Sequence, residues 1–101
     1  MALKIGSLYK LKRNFFASRE RKDWADRRVW LDASKNTIYA LLSKEKFSEK
    51  LPAVPPYVPE TVEEFMCYKL LSTSGSIYYL VKRYKTRHYL EKTAFEEVIM
   101  P

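Results

Sequence analysis

Four of the chain's five prolines fall within nine residues, LPAVPPYVP at positions 51–59 (Pro52, Pro55, Pro56 and Pro59). Proline has no amide hydrogen and fixes its own φ, so neither a helix nor a central strand runs through such a segment. Residues 51–60 are therefore expected to be an extended connector with polyproline character. Its two PxxP spacings suit an aromatic groove, and an ordered strap across the fold suits it better. In a chain of 101 residues the break is too short to separate two domains, so residues 1–101 are read as one domain. With 47% hydrophobic residues the chain can build a core, which excludes wholesale disorder.

On either side of the connector the patterning is that of short strands. Leu8 to Arg13 (LYKLKR) alternates, with Tyr9 and Leu11 on one face and Lys10 and Lys12 on the other. Residues 14–27 fit either a helix from about Ala17 to Trp24 or a long basic loop. The loop fits better, because Phe15, Phe16 and Trp24 form no sustained helical stripe. Arg28–Asp32 and Thr37–Leu42 are rich in β-formers around Ala33-Ser34-Lys35-Asn36, which predicts a β-hairpin. Residues 43–50 (SKEKFSEK) are polar and suit a helical turn or loop.

Phe65–Ser72 reads as a buried strand, Thr73-Ser74-Gly75 as a turn, and Ile77–Tyr84 as the clearest strand of all. Lys85-Thr86-Arg87 is expected to turn the chain and His88–Glu91 to return as a strand. Thr93 with Glu96 has capping-box spacing, which predicts a short C-terminal helical turn carrying Phe95, Val98 and Ile99 inward. Successive short hairpins in so small a chain argue a mainly β fold. A small antiparallel SH3-like barrel fits first and an OB-like barrel second.

Charge is unevenly placed. Residues 1–50 hold 13 basic and 6 acidic side chains; residues 51–101 hold 6 of each. The whole excess of +7 thus lies in the first half, a field that draws anionic partners. The same cations would also serve as a solvated, solubilising face.

Catalytic chemistry is sparse. His88 is the one histidine, and Cys67 the one cysteine, set between Met66 and Tyr68. One of each cannot complete a zinc site, and two isolated glycines cannot make a phosphate loop. Glu63-Glu64 and Glu96-Glu97 are sequence neighbours, which on a strand point to opposite faces. No enzyme, metal or cofactor is expected. MALKIGSLYK contains no apolar leader core, and no run reaches the length that spans a bilayer, so a reducing, cytoplasmic setting and no membrane partner are expected.

What the sequence does offer is cations interleaved with rings. Tyr78 and Tyr84 are candidate platforms for unpaired bases. The candidate phosphate contacts are Lys10, Lys12, Arg13, Arg19, Arg21, Arg27, Arg28, Lys82, Arg83, Lys85 and Arg87. The competing reading keeps the tyrosines in the core with their hydroxyls at the rim.

The segments KIGSLYKLKRNF, EEFMCYKLL, IYYLVKRY and TAFEEVI resemble small SH3-like barrel proteins of tailed bacteriophages. There, an opening Gly-x-x-Tyr/Val strand, a central apolar strand and a terminal Phe-Glu-Glu turn recur. The segment Lys44 to Glu60 departs from that pattern as an insert. The resemblance implies a non-enzymatic accessory protein made during infection, in the host cytoplasm. Two partners follow: nucleic acid, DNA or RNA, bound without strong sequence preference, or an acidic host protein that the chain inhibits. In the second case Trp24 or Trp30 would be the anchoring side chain.

Overall fold

The computed structural model describes residues 3–20, 28–51, 53 and 59–99. The fold is mainly β. Seven strands form one antiparallel sheet curled into a half-barrel, with a short helix near the C-terminus. The strands are β1 (Leu8–Leu11), β2 (Phe15–Ser18), β3 (Arg28–Leu31), β4 (Ile38–Leu51), β5 (Thr61–Ser72), β6 (Ile77–Arg83) and β7 (Phe95–Glu97). The order across the sheet is β3-β2-β6-β5-β4-β1-β7. Curling stops short of closure, so β3 and β7 end the sheet. Helix α1 (Arg87–Ala94) turns Leu90, Glu91 and Ala94 inward.

The concave face holds the core. Tyr9, Tyr39, Leu41, Tyr68, Leu70, Leu80 and Phe95 cluster there, with Tyr9 edge-on to Phe95 at 5.9 Å. Cross-strand partners share a face, so Tyr9↔Tyr39, Leu41↔Leu70 and Tyr68↔Leu80 stack these rings and branched chains into one layer. The β5–β6 turn needs Gly75 at φ +86°, where its N–H donates to Ser72 O at 3.0 Å.

Several sequence expectations are corrected. Residues 14–27 contain β2, because Phe15 and Ala17 alternate inward against Leu31 and Val29. Arg28–Leu31 and Ile38–Leu51 do not form a hairpin. β3 pairs with β2, and β4 with β1 and β5. Asn36, at φ +53°, closes a 3-10 turn (Ala33–Lys35) that carries the chain from one strand to the other. The polar stretch 43–50 is strand, not turn. It pairs residue by residue with β5 as far as Leu51↔Thr61, so the proline segment links the two strands of one long hairpin. Pro52, Pro55, Pro56 and most of that segment lie outside the described residues. His88–Glu91 is helix, and 95–97 is strand. The Thr93 hydroxyl donates to Tyr89 O at 2.7 Å inside α1 instead of capping a helix.

A bulge sets the far half of β4. Register shifts between Leu41 and Ser43, so Leu42 has no partner and the alternation inverts beyond it. Lys44, rather than Ser43, thereby shares a face with Tyr68 and points toward α1. Its ammonium meets Glu91 Oε1 at 2.7 Å, and the Tyr68 hydroxyl donates to Oε2 at 3.1 Å. Leu3 N–H donates to Oε1 at 3.2 Å. Burial by itself would raise the Glu91 carboxyl. The Lys44, Leu3 and Tyr68 hydrogen bonds and the Lys44 charge outweigh it, and the carboxyl sits below its ordinary value. Burial, and then the Glu91 charge, push the Tyr68 hydroxyl far up.

Candidate functional site

β6 divides its side chains between two faces, and the division decides which tyrosines are available. Tyr78, Leu80 and Lys82 point to the concave side, where Leu80 is 0% exposed. Tyr79 and Val81 point outward. Tyr78 is half-buried against the core, edge-on to Tyr39 at 6.2 Å and covered by Arg19, whose Cζ lies 5.4 Å from its centroid. Tyr84 is half-buried as well. The Arg87 guanidinium lies 3.6 Å over it and the Lys46 ammonium 4.3 Å. Both rings proposed as stacking platforms already carry cations of the chain itself.

The candidate cations separate into distinct neighbourhoods. Around Tyr84, Arg83 pairs with Glu63 at 2.9 Å and Lys46 with Glu64 at 3.2 Å. The exposed Lys85 borders a shallow groove with Glu63 and Glu64. Acid therefore interleaves with base on that side. Lys10 faces Glu96 across the β1–β7 ladder. Lys12 is exposed, and its backbone N–H donates to Ala94 O at 2.7 Å. Arg21, Arg27 and Trp24 lie outside the described residues.

The remaining cations converge. Arg13 lies in the β1–β2 turn, Arg28 at the start of β3 and Lys82 on β6. Arg13 Cζ and Lys82 Nζ both lie against the buried Phe15 ring, at 4.9 and 5.2 Å from its centroid. Arg28 and Lys82 line one groove of about 210 Å³ with Phe16, Ser18, Tyr79 and Val81. Partial burial lowers the Lys82 ammonium from its ordinary value, and the Arg13 and Arg28 charges lower it further. Arg13 and Lys82, far apart in the chain, thus meet on one ring, and Arg28 adds to the positive field at Lys82.

Beside them two rings stand out of the sheet. Phe16 and Trp30 are cross-strand partners on the outer face of β2 and β3, 52% and 51% exposed, with centroids 4.6 Å apart. Tyr79 forms the shared wall between their groove and a second depression, of about 300 Å³, that includes Leu42, Cys67 and Lys69. Lys69 Nζ lies 5.9 Å from the Tyr79 centroid. Sequence reasoning missed Phe16, Tyr79 and Lys69. The signal for Phe16 was its opposite parity to Phe15 and Ala17, legible only once 15–18 is taken as strand. Tyr79 and Tyr78 sit in equally apolar alternations, so nothing in the sequence told the outer one from the inner.

Among the described residues His88 is exposed, Cys67 is buried, and no group of three His, Cys, Asp or Glu is placed to hold a metal. No helix among them is long and apolar enough to cross a membrane. Comparison of the chain with protein-family models, curated proteins and solved structures finds no match.

Proposed function

We propose that the chain is a non-enzymatic accessory protein that binds nucleic acid, with Arg13, Arg28 and Lys82 as the phosphate-binding centre. The observation that carries this reading is the meeting of Arg13 and Lys82 on Phe15, with Arg28 at the adjoining groove. Holding like charges together costs folding free energy, and an anion recovers it. A phosphate backbone is a polyanion, and each phosphate neutralised releases condensed counterions. Arg83 pairs with Glu63 and contributes less. The phage-protein likeness of the sequence fits an accessory role of this kind.

The test is fluorescence anisotropy with a labelled oligonucleotide. Affinity should fall steeply, by an order of magnitude or more, between 50 and 200 mM salt. Affinity that ignores salt, or no binding at low salt, refutes the reading.

The exposed Phe16–Trp30 pair supports a second reading, a protein-binding module for an acidic host factor anchored on Trp30. Capture of a partner that survives nuclease treatment and is lost with Trp30→Ala would favour it.

A further inference from the structure

We infer that the nucleic acid is single-stranded and crosses the outer face of β3, β2 and β6 with unpaired bases stacked on the Phe16–Trp30 pair. This rests on the phosphate-binding reading above and adds what the ligand must present. A cationic cluster alone does not tell duplex from single strand, because both offer phosphates. Rings do. In a duplex the base faces are stacked on one another, whereas an unpaired base leaves its faces free for an aromatic side chain.

The geometry places the rings where such a base would arrive. Phe16 and Trp30 project from the sheet side by side, each about half in solvent. Pairing between Ser18 and Tyr79 makes Phe16 and Tyr79 diagonal neighbours, about 7–8 Å apart by sheet geometry. Between them lies the groove that Arg28 borders, while the Lys82 ammonium lies across the sheet on the concave side, against Phe15. The outer face thus sets one cation, Arg28, among its rings. Beyond Tyr79 lies a depression lined by both Lys69 and Glu45. The concave side, where Arg13 and Lys82 meet on Phe15, offers no comparable pair of exposed rings among the described residues, since Tyr9, Tyr39 and Tyr68 are closed in the core.

The experiment uses the full chain carrying Trp24→Phe, which leaves Trp30 as the single tryptophan. Its emission is followed while a 12-nucleotide oligothymidylate, a duplex of equal length, and poly-glutamate are added in turn. The oligothymidylate should quench Trp30 and bind more tightly than the duplex. Phe16→Leu and Trp30→Leu, which keep bulk but lose the ring, should each weaken single-strand binding about tenfold, as read by the anisotropy of a labelled oligothymidylate. Their urea midpoints should stay near that of the parent. Equal binding of duplex and single strand with Trp30 emission unmoved overturns this inference and leaves the phosphate centre standing. Salt-dependent binding of neither overturns both. Quenching by poly-glutamate alone overturns both in favour of an acidic protein partner.

Discussion

Lys44→Met should be among the most damaging single substitutions in this fold. It removes the ammonium from a carboxylate that is otherwise closed in beneath α1. The Glu91 side chain is 5% exposed and that of Lys44 20%, with 2.7 Å between them. Removing one partner of a buried pair costs about 3–5 kcal/mol, because the other charge stays behind desolvated. The residual exposure of Lys44 and the two remaining donors, Leu3 N–H and Tyr68 Oη, set the expectation near the lower end, about 3 kcal/mol. In a domain of this size that lowers Tm by roughly 12–24 °C. Glu91→Leu should cost less, since the freed ammonium can move to water. The double variant Lys44→Met/Glu91→Leu should recover much of the stability. Acid sensitivity gives a second readout. The folded Glu91 carboxyl titrates below its ordinary 4.5, so its contribution is present above that value and is lost as pH falls through the folded one. The double variant should lack that component of acid unfolding. Urea and thermal unfolding followed by circular dichroism, from pH 7 down to pH 3, measure all of this. A Lys44→Met variant within about 0.5 kcal/mol of the parent, or a double variant with an unchanged acid midpoint, would refute the reasoning.

Three further outcomes are expected. Gly75→Ala meets no steric obstacle but must hold φ +86°, so it should destabilise by about 1–2 kcal/mol in the same urea assay. Arg13→Ala and Arg28→Ala should each lower the slope of log affinity against log salt by about 0.7 for every single-strand phosphate they cease to neutralise. Arg83→Ala should leave that slope nearly unchanged, because Glu63 already engages the guanidinium.

The sequence made the β class legible through alternation, and it worked where one face of a strand is buried, as at Tyr9 and Leu11. It failed at 43–50 because that part of β4 carries polar side chains on both faces. Phe47 stacking on Phe65 and Lys50 pairing with Glu60 hold the strand, and neither leaves a period of two. It failed again at 88–91, where four residues of a helix cannot be told from a short strand. The inward turn of Lys44 was invisible for a different reason. A one-residue bulge at Leu42 inverts every facing assignment after it, and no residue type marks the place. For the site, sequence supplied the cations but not their grouping. Arg13 and Lys82 are 69 positions apart, and only the crossing of β2 to β6 sets both against Phe15.

Lys82→Gln tests the central claim most directly, through stability and binding measured on one protein. Lys82 is partly buried and held charged against Arg13 and Arg28, so its folded value lies below the ordinary 10.5. For a cation that sign means the charge destabilises the fold at neutral pH, and the cost fades only as pH rises toward 10.5. If the cluster exists to hold phosphate, Lys82→Gln raises the urea midpoint at pH 7 while weakening oligonucleotide binding and flattening its salt dependence. A variant that is less stable than the parent, or that binds as tightly with the same salt slope, would contradict the account.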